Sequence, residues 1–162
     1  MKKSSIILIV IAVLAVIWGV SAYNGLVTMD ENVNTEWANV ETQYQRRADL
    51  IPNLVNTVKG YAAHESETLE SVIAARSKAT QITIDPANLT PEKLAEYQEA
   101  QGAVTSALGK LLAISESYPD LKANQNFLEL QAQLEGTENR INEARRKFNN
   151  VAKEYNTAIR RF

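Results

Sequence analysis

From Ser4 to Met29 the sequence carries no charged residue, and the 18 residues from Ile6 to Tyr23 are almost wholly apolar. As a helix those residues reach about 27 Å at ~1.5 Å per residue, close to the roughly 30 Å hydrocarbon core of a bilayer. Trp18 and Tyr23 fall near one end, where amphipathic rings prefer the membrane–water interface. The rival reading is a cleaved signal peptide, with Lys2 and Lys3 as its basic start and Val20-Ser21-Ala22 as its cleavage site. The apolar run exceeds the ~7–15 residues usual for a signal's hydrophobic region, which favours an anchor. A lipoprotein is excluded because the chain has no Cys to acylate.

Orientation follows from the basic residues. Lys2 and Lys3 precede the run, and Asn24 to Gln45 contain no Lys or Arg. The positive-inside rule therefore puts the N-terminus in the cytoplasm and the remainder outside it. Ala15 and Gly19 form a small-xxx-small pair of the kind that lets two anchors approach, a pattern also common by chance in apolar helices.

The expected division is residues 1–23 as tail and transmembrane anchor and residues 24–162 as one water-facing domain. Without Lys2 and Lys3 the chain keeps 15 basic residues against 19 acidic. A mildly acidic domain lacks the clustered cations that displace counterions from DNA or RNA, so nucleic acid is not an expected partner. The absence of Cys and the single His exclude disulfides, thiolate metal sites and imidazole clusters.

Helical periodicity dominates the remainder. Phe127, Leu130, Leu134, Thr137, Ile141, Ala144, Phe148, Val151, Tyr155 and Ala158 alternate by three and four, a coiled-coil-like seam of about five heptads. The spacing predicts one helix from about Asn124 to near the end. Val33, Trp37, Val40, Tyr44, Ile51, Leu54 and Val58 form a second stripe, with Arg47 or Ala48 between Tyr44 and Ile51. Pro52 lies inside it and predicts a kink near Ala48. Only Gly25 interrupts the chain between Tyr23 and Val33, so anchor and stripe read as one continuous helix. After Gly60-Tyr61 the pattern weakens, which allows either a break near His64 or continuation, and Leu69, Val72, Ile73 and Arg76 then resume it. The sum is three long antiparallel helices, with the first open to a break near Gly60 to Ala63. Gln81 to Asn88 read as a loop. Thr90-Pro91-Glu92 is a helix start, and Tyr118-Pro119-Asp120 ends that helix with a turn. The expected fold is all-α: a single transmembrane helix followed by an elongated antiparallel bundle of long helices.

Several of these stretches resemble the LemA family. They are Arg46-Arg47-Ala48-Asp49-Leu50-Ile51-Pro52-Asn53-Leu54-Val55, Tyr118-Pro119-Asp120-Leu121-Lys122-Ala123-Asn124, Leu130-Gln131 and Thr137-Glu138-Asn139-Arg140-Ile141. The resemblance implies a bacterial membrane protein of helical fold with no established enzymatic activity. It also implies cell-envelope and magnetosome settings, and hence scaffolding. Family members usually continue with a proline and a further tail, whereas this sequence stops at Arg160-Arg161-Phe162.

Candidate sites weigh as follows. His64 and Glu67 have helical metal-ligand spacing but no second His, so no metal is expected. No nucleophile sits beside a base and no cofactor motif is present, so neither catalysis nor a cofactor is expected. Arg46, Arg47 and Asp49 are candidates for an anion or a partner carboxylate. The bland reading is exposed pairing with Glu135, Glu138 or Glu143, contributing about 0–1 kcal/mol. Pro52, Asn53, Tyr118, Asp120 and Asn124 are candidate contact points, with Asp120 or Asn124 more often a helix cap than a partner site.

The leading expectation is a non-enzymatic scaffold at the bacterial inner membrane, meeting the lipid bilayer, copies of itself and other envelope proteins. The alternative is a sensor that binds a small anion near Arg46 and Arg47.

Overall fold

The computed structural model describes residues 3–85, 88 and 90–161, the first three as backbone only. Lys2 and the Lys3 side chain, which carry the orientation reading, lie outside the described residues, as do Pro86, Ala87, Leu89 and Phe162. Among the described residues the structure is helical throughout, with no strand. The elements are α1 (Lys3–Tyr61), α2 (Ser66–Gln81), α3 (Pro91–Ile114), a short α4 (Pro119–Lys122) and α5 (Gln125–Ile159). A 3-10 turn, Ser115–Ser117, links α3 towards α4.

The N-terminal run is helical as its composition demands. Gly25 does not interrupt α1, and space is open around its backbone. The best apolar window has a mean hydropathy of 2.7, and none of it is buried within the protein. Leu8 and Trp18 are each 68% exposed. A core helix of a water-soluble protein buries such side chains, because each large apolar group left in water forgoes roughly 1.5–3 kcal/mol. This helix is long and apolar enough to cross a membrane.

The chain divides into two compact units, Met1–Ala38 with Arg145–Phe162, and Asn39–Ala144. In the second unit the side-chain contacts fix the helix directions. Thr57 and Arg47 on α1 bond Asn126 and Glu138 on α5, so those helices are antiparallel. Arg47 also reaches Gln101 and Thr105 on α3, while Tyr44 stacks on Tyr97, so α1 and α3 run parallel. Helix α2 returns between them, with Arg76 against Ala48 and Glu65 against Tyr118. The result is an up-down-up-down arrangement of four helices rather than three, because the chain breaks between Tyr61 and Ser66, where the sequence allowed either a break or continuation. Its core joins Ile51, Leu54 and Val58, then Leu69 and Val72, then Val104, Leu108 and Leu111, and finally Phe127 and Leu130. The C-terminal seam is buried from Phe127 to Phe148 and half-buried at Val151, Tyr155 and Ala158. On α2 the stripe differs in one place: Ile73 is 51% exposed, and Ala79 takes a buried position instead.

Pro52 does not end α1. Its missing amide leaves the Ala48 carbonyl without its helical donor, and the Arg76 Nε of α2 donates to that oxygen at 2.7 Å. An orphaned, partly buried carbonyl costs about 1–3 kcal/mol. Arg76→Ala should therefore destabilise the protein by about that amount in urea titration. In a Pro52→Ala background, where the helix supplies its own amide, most of that penalty should disappear. Equal penalties in both backgrounds would contradict this account.

Candidate functional site

The helical seams each carry one polar residue where the spacing calls for an apolar one. On α1 the series Val40, Tyr44, Ile51, Leu54 leaves its slot to Arg47; on α3 the series Tyr97, Val104, Leu108 leaves it to Gln101; on α5 it falls to Thr137. All three are buried. The fold brings Arg47 and Gln101 together with Glu138, the neighbour of Thr137. Arg47 Nη1 donates to Thr105 Oγ1 at 2.7 Å and to Glu138 Oε1 at 2.9 Å. Its Nη2 donates to the Gln101 carbonyl at 2.9 Å and to Gln101 Oε1 at 2.6 Å. The guanidinium also lies 5.1 Å from the Tyr44 ring centre, within cation–π range. Thr137 satisfies its hydroxyl on the Gln133 carbonyl.

This corrects the expectation of an exposed pair. The Arg47 side chain is only 2% exposed and that of Glu138 30%, so the pairing with Glu138 is correct but its setting is interior. A desolvated guanidinium needs its donors matched, and four acceptors meet them here.

Tyr97 packs edge-to-face on Tyr44, with ring centres 5.5 Å apart. Burial, reinforced by Glu41, holds its phenol well above the ordinary tyrosine value, so the neutral form is favoured in the fold. A group whose folded pKa is raised adds stability below its unfolded value and loses it as pH climbs further. The protein should therefore lose stability above about pH 10, and Tyr97→Phe should flatten that loss. Parallel alkaline slopes for the two proteins in urea titrations would contradict the assignment.

The other candidates scatter. Arg46 is exposed, and Asp49 is exposed and accepts from Gln45 at 2.8 Å. Pro52 and Asn53 are exposed on α1. His64 lies in the turn after α1 and Glu67 in the first turn of α2, both exposed. Tyr118 donates to Glu65 Oε1 at 3.1 Å, and that bond together with burial raises its phenol pKa. Asp120 sits exposed in the first turn of α4 rather than as a cap. Asn124 does cap α5, its Oδ1 accepting from the Phe127 amide at 2.9 Å while its Nδ2 donates to Tyr61. The Tyr118 to Asn124 segment thus spends its polar groups tying the α3–α5 connection to the end of α1. In the unit that holds the N-terminal helix, Ile6, Trp18 and Tyr23 are all exposed. Sequence reasoning missed Gln101, Thr105 and Arg76; the empty slot between Tyr97 and Val104 was the available signal for the first.

The chain is 29% identical to the "Magnetosome protein MamQ" of Magnetospirillum gryphiswaldense, an alignment covering 85% of this chain and 57% of that protein. It is 28% identical to the "Magnetosome protein MamQ 2" of Paramagnetospirillum magneticum, over 94% of this chain and 64% of that one. It is 27% identical to the "Protein LemA" of Metamycoplasma hominis, over 76% of this chain and 52% of that one. The chain thus spans between about half and two thirds of the length of these relatives. The LemA family profile matches residues 36–162, which takes in all of the four-helix unit and its buried arginine, and the chain belongs to the LemA family.

Proposed function

We propose that this LemA-family chain is a non-enzymatic scaffold of the bacterial cell envelope, held in the inner membrane by the first part of α1. The N-terminus lies in the cytoplasm and the helical units outside it. The observation that carries the reading is the wholly exposed apolar helix at the N-terminus, which has no place to go in water. It is supported by the way the helical units use their chemistry. The buried cation, the tyrosines and the Tyr118–Asn124 segment all serve internal packing, which leaves long helical faces as the means of contact. The magnetosome proteins among the relatives give the scaffold reading its family-level support. A small-anion sensor at Arg46 and Arg47 gains nothing from the geometry, since Arg47 is interior and already meets four acceptors.

The test uses the absence of Cys. A single cysteine at the exposed Ile73 of α2, labelled with a photocrosslinker in native membranes, should give discrete adducts with a second copy or with other envelope proteins. A chain that forms no adducts from this or other exposed helical positions does not act as a scaffold.

A further inference from the structure

The far ends of α1 and α5 in the anchor unit suggest a contact that no family-level reading provides. Trp37 meets the Phe148 ring edge-to-face, 5.1 Å between centres. Eight residues further towards the apolar run, Met29 lines one groove together with Lys153, Glu154, Ala158 and Arg161. The two helices are therefore antiparallel in this unit as well. Continuing that register sets Arg160 and Arg161 level with Gly25 and Asn24. Those positions lie only about 1.5–3 Å along the helix axis from Tyr23, at ~1.5 Å per residue. The headgroup layer of one leaflet is roughly 5–8 Å deep. Both arginines are exposed, and long cationic side chains reach towards an interface while their stems stay on the protein. Ile159 beside them is 44% exposed. The acidic residues of this end, Asp30, Glu31 and Glu154, all lie on the far side of Arg161 from the apolar run.

We propose that Ile159 at the end of α5 and the turn residues Arg160 and Arg161 after it form a second membrane contact, seating the two guanidinium groups on anionic lipid phosphates beside the point where α1 leaves the bilayer; this rests on the anchoring proposed above. Charge complementarity and continuity with the apolar span select lipid as the occupant. The contact pins α5 at its C-terminal end and gives the anchor unit two points of attachment. The competing explanation is that the arginines only complement the α5 C-terminal dipole, which requires no lipid.

The experiment is hydrogen exchange on the full chain in vesicles of phosphatidylcholine, with and without phosphatidylglycerol. Amides of residues 155–161 should exchange more slowly when the anionic lipid is present, by up to about five-fold per cation at low salt, while those around Ala144 stay unchanged. Added salt should erase the difference. Arg160→Gln with Arg161→Gln should abolish it, and Arg160→Lys with Arg161→Lys should keep it. Equal exchange in both lipids, an unaffected glutamine variant, or the same slowing from inorganic phosphate alone would overturn the proposal. Flotation of each sample separates the two readings. Chains that float without anionic-lipid protection refute only this contact, and chains that fail to float refute the anchoring and the contact together.

Discussion

Arg47→Ala should destabilise the four-helix unit by about 3–5 kcal/mol, the usual cost of leaving a buried ion pair with one member. The substitution strands Glu138 and the Gln101 side-chain oxygen, and it empties the space against Tyr44. A domain of this size holds only about 5–15 kcal/mol in total, so the unit should be largely unfolded at modest denaturant. Arg47→Lys should recover little, because an ammonium cannot fork to three residues on two helices. Arg47→Met combined with Glu138→Leu should restore much of the stability, since no charge is then left unpaired. A loss below about 1 kcal/mol for Arg47→Ala in chemical denaturation would return the pair to the class of exposed surface bridges. The polar layer interrupts three seams at one level, an arrangement that in coiled coils fixes register at some cost in stability. The Met/Leu double variant should accordingly keep its melting point while losing sharpness in its side-chain spectra.

Val13→Arg combined with Ile17→Arg should detach the protein from membranes. Each arginine near the centre of a span costs about 2.5–3.5 kcal/mol on insertion scales, so the pair removes roughly 5–7 kcal/mol. Both residues are exposed and touch nothing that the four-helix unit needs. Its denaturation midpoint should therefore stay the same while the protein moves from the membrane fraction to the soluble one. Retention of the variant in membranes would mean that something other than the apolar run holds the chain there.

Most of the fold was legible because helices announce themselves through spacing. The seam from Phe127 to Phe148 and the Thr90-Pro91 start follow from local chemistry that tertiary contacts did not override, whereas the weak pattern after Gly60 fitted a break and continuation equally. Pro52 was legible as a disturbance, but its remedy was not. Arg76 lies 24 residues away, and only the packing of α2 on α1 brings it to the Ala48 carbonyl. The partner of Arg47 could be read from charge, since α5 offers few acids on the facing side. Its burial could not, because arginine is seldom interior and the heptad slot it fills looked like a gap. Ile73 shows the opposite limit: Leu69, Val72 and Ala79 hold one buried face of α2, and an apolar residue one position off that face is left to solvent.

The central claim is that the N-terminal apolar helix remains part of the protein as its membrane anchor. Membranes carrying the full chain, washed in alkaline carbonate and analysed by intact mass, test it most directly. The account predicts a carbonate-resistant protein whose mass includes the segment Ile6 to Tyr23. A carbonate-soluble protein whose sequence begins at Tyr23, cut after Val20-Ser21-Ala22, would contradict it.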